Sequence, residues 1–412
     1  MKLKNTILTS LLFFLVLSSW YVLRAVRNEL AVENYGQDFL LVLLAITALT
    51  MLFVNPIYSW IASRGNYKKI IVFCYSFLIL NLFIFIFYSR SLTENDVTQA
   101  IWLGRVFYVW CNIYSFFVVS IFWVLVINIF RDDKSRKLYG FIMAGGSLGA
   151  IFGSEISVRL SESFVNNGLE LFAASSSILL AMAIILALYI VRINNDNVLV
   201  QKVGGQWSDA MSNIISDYEV RIVAIYSWLF TLLMTIQWIT AIPIIESYSD
   251  LSPDRIELFA RIEQLVSPLT LLTQLFLTYL VISFFGISVI LIVYGLLFVI
   301  VFLLYGFAPS VGVVVFAQAL LRVFEYGFNK PSREIIYSQL KKTDRYKSTV
   351  FIDTFITRFG DLTGSLFIGL GKLASLSIAI MPIVAIPIAG IFTYMGYKVS
   401  NRFRFKDNLK TS

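Results

Sequence analysis

Histidine is absent from this 412-residue sequence, and cysteine occurs only twice. The first absence removes histidine metal sites and histidine proton relays. The second leaves Cys74 and Cys111, each inside an apolar run, as small packing residues without a disulfide or metal framework. Charge is scarce as well: Asp, Glu, Lys and Arg make up 14% of the chain against 58% hydrophobic residues, and mean hydropathy is +0.79. A soluble protein of this length would not have enough polar surface, so the sequence describes an all-α polytopic membrane protein. Backbone groups in hydrocarbon must bond internally, and unbroken apolar runs of roughly 18 residues or more mean helices. No nucleophile constellation and no soluble domain is visible, so an enzyme is not expected, nor a metal or cofactor. The run GGSLGAIFG from Gly145 to Gly153 lacks the lysine and serine or threonine of a phosphate-binding loop, follows no strand and lies inside a span.

Twelve spans are expected at about 6–30, 38–62, 69–88, 99–128, 138–160, 169–191, 219–245, 258–284, 287–306, 311–329, 349–372 and 377–397. The first meets Arg24 and Arg27 and shows no convincing cleavage site, which separates it from a signal peptide. Lysine and arginine collect in alternate loops. One set holds Arg64, Lys68 and Lys69; Arg131, Lys134, Arg136 and Lys137; Arg192 and Lys202; and Lys330, Arg333, Lys341, Lys342, Arg345 and Lys347. The tail adds Lys398, Arg402, Arg404, Lys406 and Lys410, whereas the other side has only scattered Arg90, Arg255 and Lys372. The positive-inside rule then puts both termini in the cytoplasm, as for a bacterial inner-membrane protein. It also accounts for the net charge of +8 without a nucleic-acid partner.

An offset of 211 residues sets DKSRKLYGFIMAGGSLGAIFG (Asp133 to Gly153) against DRYKSTVFIDTFITRFGDLTG (Asp344 to Gly364). Both copies are a basic loop entering a glycine-bearing span, which fits two same-orientation halves of six spans, as in the major facilitator architecture. The halves are residues 1–192 and 219–400, with a linker at 193–218 and a tail at 401–412. Spans three, six, nine and twelve have no ionisable residue in their interiors, spans one, four, five, eight, ten and eleven do, and span seven offers only Gln237. A charge at the bilayer centre is disfavoured by ~2.5 kcal/mol or more, so every third helix faces lipid and the others line an interior.

Two polar stripes stand out. Gln318, Arg322, Glu325 and Asn329 fall at i, i+4, i+7 and i+11, and Thr354, Arg358, Asp361 and Ser365 repeat that spacing, each set marking one helix face. Arg358 is deep, roughly 14 Å into span eleven at ~1.5 Å per residue. Arg322 is similarly deep in span ten, while Arg24, Arg27 and Arg105 sit nearer the outer side. Trp20, Arg24 and Arg27 share a face. Arg322 with Glu325, Arg358 with Asp361, Arg159 with Glu155 and Arg261 with Glu263 serve equally as neutral pairs that only join helices. Arg24, Arg27 and Arg105 have no acid as well placed, Glu29 being the nearest, so a positive cavity for an anionic solute is the preferred reading. Gly145, Gly149 and Gly153 in span five, and Gly360, Gly364 and Gly371 in span eleven, form separate small-residue faces for close helix packing.

RAVRNEL at Arg24 to Leu30, FWVLVINIF at Phe122 to Phe130, RKLYGFIMAGGSLGAIFG at Arg136 to Gly153, RIELFARIEQLVSPLTLLTQLF at Arg255 to Phe276, and KPSREIIYSQLKKTDRYKSTVFIDTFITRFGD at Lys330 to Asp361 resemble the ATP/ADP translocase (nucleotide transporter) family, within the major facilitator superfamily. The likeness runs in order over most of the chain. It implies a rocker-switch secondary transporter exchanging nucleotides, acting as a monomer in contact with membrane lipid. On that reading Arg24, Arg27, Arg105, Arg322 and Gln237 bind substrate, and Trp20 or Tyr108 stacks on a base. Glu155, Glu263, Glu325, Arg358 and Asp361 then serve coupling and gating. Asn28 and Asn128 stand where many members have aspartate, and Glu263 replaces an aspartate, which leaves the cavity more positive. A proton-coupled transporter of another organic solute, or a non-transporting assembly or lipid-handling protein, fits the composition as well.

Overall fold

The computed structural model describes residues 2–33, 39, 42–51, 53–54, 67–93, 95–130, 139–162, 168–194, 216–340, 348 and 351–410. The side chains of Asn128 and Thr354 lie outside the described set, as do Arg64, Arg131, Lys134, Arg136, Lys137, Lys202, Lys341, Lys342, Arg345 and Lys347 of the basic loops. Among the described residues there is no strand. The helices are α1 (Lys2–Glu33), α2 (Val42–Met51), α3 (Tyr67–Ser91), α4 (Val97–Ile129), α5 (Tyr139–Ser161), α6 (Glu170–Ile193), α7 (Tyr218–Glu246), α8 (Ser252–Leu272), α9 (Thr278–Phe307), α10 (Val311–Phe324), α11 (Lys330–Gln339), α12 (Thr357–Leu373) and α13 (Met381–Lys410). π-helical turns at Thr273–Leu277, Glu325–Asn329 and Ile352–Ile356 join α8 to α9, join α10 to α11 and precede α12.

Nine helical stretches among the described residues are long and apolar enough to cross a membrane. One of them, Ser252–Phe307, is 56 residues long, about twice what a bilayer needs. It is broken at Gly286, where φ is +75° and ψ 167°, between the two spans expected at 258–284 and 287–306. An L side chain is strained at that φ, and a Cβ there would meet nothing within 4 Å, so conformation rather than space requires the glycine.

The chain forms two compact units. The first comprises Met1–Gly36, Phe53–Val203 and Ser249–Pro268, and the second Gln37–Leu52, Gly204–Tyr248 and Leu269–Ser412. In the first, α1 is central and packs against α4, α5 and α6, with α3 against α4 and α6. In the second, α7 packs against α12 and α13, and α9 against α13. Buried tyrosine hydroxyls find partners inside each unit, as hydrocarbon surroundings demand. Tyr75 donates to Val118 O at 2.7 Å and Tyr114 to Ser19 Oγ at 2.9 Å in the first, and Tyr294 to Leu321 O at 3.2 Å in the second. On α3, Phe73, Phe77, Leu80, Ile84 and Phe87 are all exposed, the apolar stripe expected of a lipid-facing third helix.

The glycine faces are used as expected. A Cβ on Gly145, Gly149 or Gly153 of α5 would run into the backbone carbonyl of Ser10, Phe14 or Ser18 of α1, and Ser18 Oγ donates to Gly149 O at 3.1 Å across this seam. On α12 a Cβ on Gly360 or Gly364 would meet the carbonyl of Trp228 or Leu232 at 2.8 Å, which makes the matching seam with α7. Because the obstacle is backbone, relaxation is limited. Gly149→Leu is expected to destabilise the first unit by about 1–3 kcal/mol, read as a lower thermal midpoint in detergent; an unchanged midpoint would show the α1/α5 seam to be loose.

Candidate functional site

Polar chemistry in the first unit is gathered on the second half of α1. Trp20, Arg24 and Arg27 lie on one face of this helix, and residues 20, 24 and 27 at i, i+4 and i+7 point the same way. Arg27 is half-buried, and its guanidinium lies 5.3 Å from the Trp20 ring centre and 5.5 Å from that of Tyr108 on α4. Its Nε and Nη2 donate to Asn28 Oδ1 at 3.2 and 2.7 Å, and Nη1 donates to Asn112 Oδ1 at 3.2 Å. Asn112 is itself fixed by donating to Tyr108 O at 2.9 Å. Each of these partners is neutral, so among the described residues the Arg27 guanidinium is oriented by hydrogen bonds without a direct ion pair. Arg105 lies one turn from Tyr108 on α4, its guanidinium 4.7 Å from the Trp102 ring centre.

The other α1 charges are matched by the start of α8, which belongs to the same unit. Arg24 Nη2 is 3.2 Å from Glu263 Oε1. Arg255 clamps Glu29 with Nη2 at 2.7 Å and Nε at 2.8 Å from Oε1, both side chains being almost fully buried. These contacts revise the expectation that Arg24 lacks an acid and that Glu29 serves the α1 arginines. They also correct the Arg261–Glu263 pairing: Arg261 binds Glu257 at 3.1 Å, one turn back, whereas residues two apart point to opposite sides of a helix. Glu155 pairs with Arg159 at 2.8 Å as expected, and its other oxygen accepts from Gln264 of α8 at 2.7 Å.

In the second unit the deepest charges sit where π turns replace α-helix. Glu325 opens one such turn and is 5% exposed; its partner is Arg333, Nη2 to Oε1 at 2.8 Å. Asn329 Nδ2 donates to Glu325 Oε2 at 2.5 Å, and Tyr226 donates to Asn329 Oδ1 at 2.6 Å. Arg333 Nη1 is 3.9 Å from Asp353 Oδ1, which accepts from Tyr337 at 3.0 Å, and the guanidinium stands 5.4 Å from the Phe230 ring centre. Arg333 was expected in a basic loop. Instead residues 330–339 continue the helix, with Pro331 in its first turn, and Arg333 is 6% exposed. Proline is tolerated there because a π turn just before it already shifts the hydrogen-bond register. The carbonyls of this turn are served by the first π turn and the residue after it: Gln274 donates to Tyr326 O at 3.0 Å and Thr278 to Gly327 O at 2.5 Å.

Arg358 and Asp361 form the expected i, i+3 pair at 2.9 Å, and Thr235 donates to Asp361 at 3.0 Å. Arg322 is buried on α10. Gln237 has no exposed surface; it donates to Tyr305 Oη at 2.6 Å and accepts from Gln318 at 3.1 Å. The structure thus brings Trp20, Arg24, Arg27, Tyr108 and Glu263 together in one unit and places Arg322, Glu325, Arg358, Asp361 and Gln237 in the other. Sequence reading missed Arg255 and Arg333, both assigned to loops, although each stands in the first turn of a helix.

No protein-family model matches the chain, and no curated protein sequence matches it. Solved structures do. A point mutant of nucleoside transporter NupG superposes with a TM-score of 0.66 at 13% identity, covering 96% of this chain and 99% of that one. The chain shares the fold of that structure. Nucleoside transporter NupG itself gives 0.58 at 15% identity, with 98% of each chain covered. At these identities the likeness to NupG is one of all-helical fold alone, and it does not single out the ATP/ADP translocase family.

Proposed function

We propose that the chain is a secondary transporter that moves a nucleotide-like organic anion across the membrane by alternating access. The observation that carries this is Arg27, a membrane-embedded guanidinium beside the rings of Trp20 and Tyr108 that, among the described residues, bonds to the neutral oxygens of Asn28 and Asn112 and to no carboxylate. A charge kept there without a direct ion pair is complementary to a phosphate, and the neighbouring rings suit a base. The same feature argues against a non-transporting membrane protein, in which every deep arginine is better neutralised. Arg24 and Arg105 are the further anion ligands of this reading in the first unit. Both termini lie in the cytoplasm, and the functional halves are residues 1–192 and 219–400.

A second reading, uptake of an uncharged nucleoside driven by protons, is favoured by the fold neighbours being nucleoside transporters and by the buried carboxylate of Glu325. Proteoliposomes separate the two. Labelled ATP and ADP are expected to enter, faster with unlabelled nucleotide inside. Nucleoside uptake driven by an imposed pH gradient, with no nucleotide uptake, would overturn the first reading in favour of the second.

A further inference from the structure

Where α7 begins and the apolar part of α13 ends, the second unit has a cavity of about 380 Å³ lined by Tyr218, Tyr394, Tyr397, Lys398, Asn401 and Arg402. On α13 these residues share the outward side, with Tyr394 and Tyr397 more than half exposed, while Met395, Val399 and Phe403 on the opposite side are buried. Tyrosines with exposed rings at the end of a membrane span belong to the level of the lipid headgroups, where one end of the ring is apolar and the other wet. The sequence turns polar at the same point, from the apolar run of α13 to KVSNRFRFKDNLK.

The lining carries two cations, Lys398 and Arg402. Lys398 Nζ is 5.6 Å from the centre of the Tyr218 ring, and Arg221 stands 5.8 Å from the same ring. Glu219 pairs with Arg402 at 3.3 Å. Among the described residues no carboxylate is within ion-pair distance of Lys398. With Arg402 paired to Glu219, the Lys398 ammonium, the donor amide of Asn401 and the exposed tyrosine rings make a receptor for a phosphate group whose remaining substituent is greasy.

We propose that this cavity binds the headgroup phosphate of an anionic phospholipid, with Lys398 as the principal ligand and the acyl chains lying along Tyr394 and Tyr397. A free phosphate would use the same charges but leave the exposed rings without a partner.

The test uses the full chain, purified in detergent, with phosphatidylglycerol, phosphatidylcholine or inorganic phosphate added separately. Bound lipid is counted by native mass spectrometry and the thermal midpoint is followed in parallel. Phosphatidylglycerol is expected to be retained and to raise the midpoint, while the zwitterionic lipid and inorganic phosphate do neither. Lys398→Gln is expected to weaken phosphatidylglycerol binding about fivefold, the loss of one basic contact near an anionic surface. Asn401→Asp, an exposed substitution that adds a negative charge to the cavity, is expected to do the same and serves if the lysine variant does not fold. Equal retention of both lipids, or unchanged binding in both variants, overturns the proposal. Protection by inorganic phosphate alone reassigns the cavity to a soluble anion and overturns it equally.

Discussion

Arg27→Ala is expected to lower nucleotide uptake in proteoliposomes by about two orders of magnitude, since truncating a desolvated charge that faces an opposite charge costs about 2–5 kcal/mol. The protein should still fold, because Arg27 bonds side chains of its own helix and of α4 and supports no carboxylate. A gentler substitution tests the electrostatic part alone. Asn28→Asp puts a carboxylate where an amide oxygen now stands 2.7 Å from Nη2, cancelling the charge without moving it. It should reduce uptake of ATP and ADP while sparing any uncharged solute. Arg27→Lys should recover little, because an ammonium does not reproduce the planar, forked contact that a guanidinium makes beside Trp20 and Tyr108. Full uptake of nucleotide by Arg27→Ala, in correctly inserted protein, would remove the anion site from this helix.

The second large effect belongs to Arg333. Its replacement by methionine leaves Glu325 buried without its ion partner, and breaking a buried pair from one side costs about 3–5 kcal/mol. A markedly lower thermal midpoint and poor yield are therefore expected for Arg333→Met. Glu325→Gln should be milder, since Asp353 remains 3.9 Å from the guanidinium and Asn329 keeps an amide oxygen to bond. The double variant with both changes should recover part of the loss, because it buries no net charge. The order of the three midpoints is the measurement: if Arg333→Met is as stable as the parent, Glu325 has another cation and the described network is not what holds these turns.

What the sequence revealed and what it hid divide along one physical line. The helical spans among the described residues, the glycine seams and the break near Gly286 depend on local composition and could be read directly, while the count of twelve rests on the sequence alone. Pairs within a helix, such as Arg358 with Asp361 and Arg159 with Glu155, follow from spacing alone. Pairs between helices, such as Arg24 with Glu263 and Arg255 with Glu29, require knowing that the start of α8 packs with the first unit, and no periodicity encodes that. Arg333 was hidden twice over. The Lys-Pro-Ser-Arg run looks like a loop, and the partner at Glu325 is eight residues away, a separation that an α-helix does not bring onto one face but that a π turn does.

The three π turns have a practical bearing on any attempt to engineer this protein. Each packs an extra residue into its helix, so side chains after it are rotated by roughly 100° from where a regular helix would carry them. In the first unit α5 runs without such a turn, while the corresponding stretch of the second unit meets one at Ile352–Ile356. A cross-link, label or charge designed in α5 and transferred by the 211-residue offset will therefore keep its face beyond Thr357 and lose it within the turn at Ile352–Ile356. Internal symmetry here is a guide to sequence position, and only on one side of each π turn a guide to direction.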